Sequence, residues 1–125
     1  MSNTRKHTVA LTSGTGQTGT AYSPYISGFI ESIQYVKTDY ADGVDFTITA
    51  EATGETIWTE ADVNAAVIKY PRAATHSTAG VASLYAAAGE AVTDRIALGR
   101  DRVKIVLAQA GATKSGTFVI TVSDR

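Results

Sequence analysis

Residues 102–123, RVKIVLAQAGATKSGTFVITVS, carry the clearest structural pattern of the chain. They contain two segments in which apolar and polar side chains alternate with a period of two, a pattern that predicts β-strands with one buried face. The inward positions are Val103, Ile105 and Leu107 in Arg102–Ala108, and Phe118, Ile120 and Val122 in Thr117–Ser123. The segment between them (QAGATKSG, 109–116) predicts a flexible loop. This stretch therefore favours an all-β domain.

Six further segments predict strands: Thr8–Thr12, Phe29–Lys37, Asp45–Ala50, Thr56–Thr59, Asp62–Tyr70 and Ala91–Leu98. For Asp62–Tyr70 a helix is the alternative, and Val67, Ile68 and Tyr70 before Pro71 favour a strand. The segment Phe29–Lys37 carries apolar groups on both faces. We expect Phe29, Ile33 and Tyr35 on one face, Ile30 and Val36 on the other, and cover on both sides. About eight strands at this spacing predict a single-domain β-sandwich of jelly-roll type, with a small barrel as the alternative.

The segment Ala73–Ala91 is ambiguous. Val81, Leu84, Tyr85 and Ala88 lie at helical spacing, and alanine is the best helix former. Gly80 and Gly89 bracket these residues. We predict a short helix here, with a strand as the alternative.

The composition bounds the class of protein. The chain has 125 residues, 44% hydrophobic, which fits one soluble domain. It lacks cysteine, which excludes disulfides, thiolate catalysis and cysteine-ligated metals. No segment resembles a signal peptide or a membrane span, so we expect assembly in the cytoplasm. We divide the chain into a polar N-terminal arm, residues 1–7, and a β-sandwich domain, residues 8–125. The arm packs either on another subunit or on its own domain.

The net charge of −1 argues against nucleic-acid binding by bulk attraction to phosphate, but it conceals a division of charge. Residues 31–62 carry a net charge of −7, whereas residues 95–125 carry +4. Oppositely charged surfaces of this kind pair either as neighbouring strands within the chain or head-to-tail between identical copies.

Several short motifs point to chemistry, and in each case the simpler interpretation is favoured. The G-x-G-x-x-G at Gly14–Gly19 lacks the following helix that a dinucleotide site requires, so it predicts a loop. Asp39, Asp42 and Asp45 are not spaced as in an EF-hand, so they predict a solvated turn, with a non-standard cation site as the alternative. His76 lacks a visible orienting carboxylate and oxyanion hole. We therefore expect no enzyme activity, no cofactor and no metal.

Aromatic and basic side chains are the candidates for protein contacts, because tyrosine and arginine anchor interfaces. Tyr22, Tyr25 and Tyr40 flank loops and are expected to be exposed. The cations around residues 95–104 predict a solvated or ion-paired face rather than a nucleic-acid site. The candidate interface residues are Arg5, Lys6, His7, Tyr22, Tyr25, Tyr40, Arg100 and Arg102.

Three segments together resemble a known group: ADGVDFTITAEATGETIW (41–58), ATHSTAGVASLY (74–85) and TDRIALGRDRVKIVLAQAGATKSGTF (93–118). They are similar to small structural proteins encoded in the head modules of tailed bacteriophages and prophages. That group includes capsid decoration, minor capsid and head–tail completion proteins. The resemblance implies a virion structural role and transfers no functional residue.

Three functions follow as hypotheses. The first is a capsid decoration protein that binds the major capsid protein and other virion proteins. It would form a homo-oligomer, with a trimer favoured, and contact neither nucleic acid nor membrane. The second is a head–tail connector or tail component. The third is a glycan- or ligand-binding β-sandwich that uses Trp58 and the tyrosines.

Overall fold

Residues 3–124 are described by a computed structural model, and within them ten strands form two antiparallel sheets. The strands are β1 (Thr4–Thr12), β2 (Gly19–Tyr22), β3 (Ile26–Lys37), β4 (Val44–Ala50), β5 (Thr56–Val63), β6 (Val67–Lys69), β7 (Arg72–Ala74), β8 (Thr93–Asp101), β9 (Val103–Ala108) and β10 (Ser115–Ser123). The first sheet has the order β1-β10-β3-β8-β7, with β6 also paired to β3. The second has the order β2-β9-β4-β5.

The predicted β-sandwich is therefore confirmed, with ten strands among the described residues instead of about eight. Inward side chains of both sheets form one core. The inward positions predicted in β9 and β10 are all buried: Val103, Ile105, Leu107, Phe118, Ile120 and Val122. The alternation in residues 102–123 thus places two central strands, one in each sheet.

The expected face of Phe29 is wrong. Ile30, Ile33 and Tyr35 are buried together, whereas Phe29 is only half-buried. The cause is a β-bulge, because Ile30 pairs with Val122 and Ser32 pairs with Thr121, leaving Glu31 as an extra residue. One extra residue reverses the face of everything beyond it.

The predicted short helix is also wrong, since no described residue is helical. The segment contains β7, two turns and the isolated bridges His76↔Ala82 and Leu84↔Ala91. Gly80 adopts a φ of 80°, which favours a turn over a helix. The apolar residues at helical spacing do not stabilise a helix here, because no core surface lies opposite them.

Residues 4–7 of the predicted arm belong to β1, which pairs with β10 from Thr4↔Ser123 to Thr12↔Ser115. The strand therefore crosses the expected boundary between arm and domain at residue 8. Met1 and Ser2 of the arm, and Arg125 at the end of the expected domain, lie outside the described residues.

Aromatic side chains link the two sheets at the centre of the core. Tyr35 of β3 lies with its ring centroid 5.3 Å from that of Phe46 in β4 and 5.4 Å from that of Phe118 in β10. The Tyr35 hydroxyl is buried without a hydrogen-bond partner. Burial, assisted by the negative charge of Asp42, raises its pKa to about 12, so it stays neutral.

Tyr40 corrects another expectation, because this predicted interface residue is buried at 2% exposure. Its ring stacks on Tyr35 with centroids 6.1 Å apart, and its hydroxyl donates a hydrogen bond to the Leu11 carbonyl. The ring lies against the backbone at Gly116, where a Cβ atom would stand 2.2 Å from the Tyr40 ring. Because Gly116 has no side chain, the Tyr40 ring can occupy this position in the core.

Gly116→Ala should destabilise the protein by about 1–3 kcal/mol, because the added methyl group displaces the Tyr40 ring from a packed site. Gly16→Ala is the matched control, since a Cβ there meets nothing within 4 Å. Urea unfolding curves measure both. Equal midpoints for the two variants would contradict the role assigned to Gly116.

Candidate interaction site

Four of the predicted interface residues come together at one end of the sandwich. Tyr22 ends β2, Tyr25 lies just before β3, Arg100 lies near the end of β8, and Arg102 separates β8 from β9. We call these four residues the Tyr–Arg cluster. Strand order brings them together, because β2 pairs with β9 and β8 pairs with β3.

Cation–π contacts hold the Tyr–Arg cluster. The guanidinium carbon of Arg102 lies 4.0 Å from the ring centroid of Tyr22 and 5.5 Å from that of Tyr25. Arg100 approaches the Tyr25 ring at 5.9 Å. Tyr22 is 40% exposed and Tyr25 is 58% exposed. The chain thus presents pre-ordered arginine and tyrosine groups to solvent, a composition that suits a protein interface.

Arg102 is also fixed by Glu51. Its Nε and Nη2 atoms donate hydrogen bonds of 2.7 and 3.0 Å to the two oxygens of the Glu51 carboxylate. These bonds lower the pKa of Glu51 below its usual value. Arg95 pairs similarly with Glu31 at 3.1 Å. At both places the acidic and basic parts of the sequence pair within the chain.

A second bulge orients Arg100. Ile26 pairs with Asp101 and Ser27 with Gly99, so Arg100 is the extra residue, and its φ is 52°. Its backbone N–H donates a 3.1 Å hydrogen bond to the Ser27 hydroxyl. The left-handed backbone conformation of a non-glycine residue is costly and occurs preferentially at functional positions.

Sequence reasoning missed Glu51 and Asp101. Asp101 is 5% exposed and accepts hydrogen bonds from the backbone N–H of Ala52 at 3.0 Å and of Arg102 at 2.7 Å. It therefore fixes the start of β9 against the β4–β5 turn. The available signal was the charge division, which indicated acid–base pairing without identifying the partners.

The remaining predicted cations lie on β1. Arg5 forms a 3.0 Å ion pair with Asp124 and donates a 3.4 Å hydrogen bond to the carbonyl of Ser27, so it approaches the same end of the sandwich. Lys6 is exposed and His7 is half-buried, and neither joins the Tyr–Arg cluster.

A second surface comes from residues 75–92, the loop between β7 and β8, which we call the flap. Backbone hydrogen bonds order it, including Ser83 N–H to the Thr75 carbonyl at 3.0 Å and Val92 N–H to the Ser83 carbonyl at 2.9 Å. Its large apolar side chains are nevertheless exposed: Val81 by 64%, Leu84 by 42% and Tyr85 by 76%. Glu90 is its one Asp, Glu, Lys or Arg residue.

The Asp trio does not converge. Asp39 accepts a 2.5 Å hydrogen bond from the Ser115 N–H, Asp42 pairs with Lys37, and Asp45 accepts from the Asp62 N–H at 2.8 Å. Within residues 3–124, no three acidic or histidine side chains are placed to hold a metal ion.

Gly14–Gly19 leads into strand β2, and His76 is exposed on the flap. Trp58 is 7% exposed and packs edge-on against Phe46 at 4.7 Å, so the expected ligand anchor lies in the core. The described residues contain no helix long and apolar enough to cross a membrane.

A groove of about 330 Å³ lies between the end of β5 and β6. Glu60, Asp62 and Lys69 supply its charged groups, and residues 63–67 supply much of its wall. Asp62 has a φ of 58° at an irregularity in the β4–β5 pairing. The size is at the lower end for small-molecule sites.

Comparison with known proteins supports the fold. No protein-family model matches the chain, and no curated protein matches it. Among solved structures, the C-terminal CBM6 of LamC, a marine laminarinase from Zobellia galactanivorans, is similar at 13% identity and a TM-score of 0.51, covering 96% of this chain and 99% of that one. At this identity the similarity is one of fold.

Two further solved structures have TM-scores just below 0.5. One is a chain of the cyanophage Pam1 capsid asymmetric unit, at 12% identity and a TM-score of 0.49, covering 98% of this chain and 84% of that one. The other is a pilus protein of Bacillus endospore appendages, at 17% identity and a TM-score of 0.48, covering 99% and 88%.

Glu51→Gln should lower stability at pH 7, because it removes the carboxylate bonded to Arg102. The pKa of Glu51 is lowered on folding, so its stabilising effect is present above the unfolded value of 4.5 and is lost as pH falls through the folded value. The difference from the unsubstituted protein should therefore shrink below pH 4.5. Thermal unfolding across pH tests this, with Glu55→Gln as the control. A constant difference would contradict it.

Proposed function

We propose that the protein is a structural component of a bacteriophage virion, and specifically a capsid decoration protein. In this role it binds the lattice of the major capsid protein and stabilises the head. Its location is the capsid, after assembly in the cytoplasm of the bacterial host. The role requires no catalysis, no cofactor and no direct contact with nucleic acid or membrane.

The exposed apolar flap carries this proposal. Three large apolar side chains are exposed within five residues of the flap, and exposed apolar side chains grouped in this way favour a protein contact. Val81, Leu84 and Tyr85 make no contribution to the core, yet the flap that holds them is ordered by hydrogen bonds. A rigid surface of this kind favours contact with another protein. The resemblance of segments 41–58, 74–85 and 93–118 to phage head proteins selects a virion protein as that partner.

The rigid sandwich and the Tyr–Arg cluster agree with the same role. A decoration protein contributes to capsid stability only if it transmits force between neighbouring subunits without deforming. The closely packed core of a β-sandwich meets this requirement. The Tyr–Arg cluster offers a second contact, so that one small domain touches two neighbours. The predicted trimer stays a prediction.

Leu84→Asp combined with Tyr85→Asp should weaken binding to the capsid at least about tenfold, because charges would be buried against an apolar partner. Both side chains are exposed, so the fold should be unaffected. The assay is co-sedimentation with shells of the major capsid protein of the phage or prophage that encodes this chain, followed by thermal melting of the shells. Ala112→Asp, in the exposed β9–β10 loop, is the control. Unchanged binding of the flap variant would contradict the proposal.

The connector alternative differs in stoichiometry. Rings of six or twelve copies in native mass spectrometry would favour a head–tail component, whereas smaller assemblies favour decoration. The exposed flap supports both roles equally, so stoichiometry is the discriminating measurement.

The glycan-binding alternative now depends on the groove at Glu60, Asp62 and Lys69. Trp58 is buried, and one face of the Tyr22 ring is taken by Arg102. The groove has a volume at the lower end for small-molecule sites, and Glu60, Asp62 and Lys69 place three charged groups in a lining that is otherwise largely apolar. Glycan-array binding that is lost in Lys69→Ala would support this function. No binding to any glycan would exclude it.

A further inference from the structure

Strand β1 presents the one long, regular open edge among the described strands. The other edge strands are protected in the ways that prevent unwanted pairing. β7 has three residues, β2 has four and is soon followed by Pro24, and the pairing of β5 with β4 is irregular at two places. β1 has nine residues, and its pairing with β10 has no register shift.

The hydrogen bonds between β1 and β10 show which backbone groups of β1 point away from the sheet. Asp124 N–H donates to the Asn3 carbonyl at 3.1 Å, and Ser13 N–H donates to the Lys114 carbonyl at 2.8 Å. Odd-numbered residues therefore bond to β10, and the even-numbered residues direct N–H and C=O outwards. These are Thr4, Lys6, Thr8, Ala10 and Thr12. Gly19 lies against Thr12, so the open part runs from Thr4 to Ala10.

We propose that β1 pairs antiparallel with β1 of a second copy across a two-fold axis at Thr8. The two six-stranded sheets then become one continuous sheet. Thr8 lies opposite Thr8 of the second copy, and Lys6 lies opposite Ala10. Each hydrogen-bonded pair across the axis joins two even-numbered residues. Their N–H and C=O groups are not bonded to β10, so each such pair can exchange two hydrogen bonds. The contact is isologous and closes at two copies, so it gives a dimer in place of the trimer expected from the sequence.

Charge and the length of the open edge together select the position of the axis, since an axis at Val9 or Ala10 would pair fewer of the open residues, which end at Ala10. An axis at Lys6 would place two ammonium groups directly opposite each other, and an axis at His7 would place the two imidazoles opposite and the lysines diagonal. With the axis at Thr8, the two Lys6 residues are separated by four residues along the strands, about 13 Å. Each then lies opposite the small, uncharged Ala10.

The outer face around the axis is compatible with such a junction. Thr8 lies beside Val119 of β10, and Ala10 lies beside Thr117. These side chains are small and uncharged, so two copies meet there without repulsion or buried charge. The contact is separate from the flap and does not depend on binding to a capsid.

Cysteine pairing tests the axis, because the chain has no native cysteine. Opposed residues in a hydrogen-bonded pair have Cα and Cβ atoms about 5.5 Å apart, a distance that a short bifunctional thiol reagent spans. Treatment of Thr8→Cys with such a reagent should therefore give a covalent dimer. Lys6→Cys is the matched control on the same strand and face, and it should give no covalent dimer, because its two thiols lie about 13 Å apart along the strands. Equal yields for both, or none for Thr8→Cys, would overturn the proposal.

Thr8→Pro tests the edge itself. It removes an N–H that bonds to nothing within the chain, and proline is tolerated on the open side of an edge strand. Sedimentation velocity should show dimers for the unsubstituted protein and for Thr8→Val, and at least a tenfold weaker association for Thr8→Pro. Thr8→Lys should act likewise by opposing two cations, which keeps the test valid if the proline variant misfolds. A protein that stays monomeric at about 1 mM would overturn the proposal without bearing on capsid binding.

Discussion

Packing of Tyr35 between Phe46 and Phe118 joins the two sheets at the centre of the core. Tyr35 and Phe118 belong to the first sheet and Phe46 to the second, so these rings join the two layers. Each fully buried aromatic contributes ~1.5–3 kcal/mol through the hydrophobic effect. Tyr40 covers one side of this group and hydrogen-bonds to β1, which connects the core to the edge of the sheet.

Two β-bulges determine where charged side chains lie on the surface of the first sheet. The bulge at Glu31 turns Phe29 outwards, where Arg95 lies over its ring at 4.5 Å and also pairs with Glu31. The bulge at Arg100 directs a second arginine towards the tyrosines. In both cases one extra residue allows a strand to bury apolar side chains along one part and present charge along the next.

The surfaces of the protein differ in whether their side-chain and backbone groups have partners within the chain. Ion pairs such as Arg102–Glu51 satisfy the charges at one end of the sandwich. The flap and the β1 edge are left open, the first because its apolar side chains have no core to cover and the second because its backbone groups have no neighbouring strand. Two unsatisfied surfaces of different chemistry on one small domain favour a protein that works within an assembly.

Local sequence patterns were sufficient to predict the fold class and most of the strands. Alternation with a period of two survives any tertiary arrangement that buries one face, so residues 45–50, 102–108 and 117–123 were predictable. The candidates Tyr22, Tyr25, Arg100 and Arg102 were identified from residue type alone. Their common location was not, because it depends on β2 pairing with β9 and β8 with β3.

Tertiary structure alone decided the burial of Tyr40 and Trp58 and the extended form of residues 75–92. Tyr40 is buried because Gly116 leaves space for its ring, and a glycine 76 positions away gives no local signal of that contact. The flap carries apolar spacing suited to a helix, but a helix gains stability from packing an apolar face against a core, and none lies beneath it. Local pattern fixes which face of a strand is apolar, whereas long-range contacts decide which surfaces are covered.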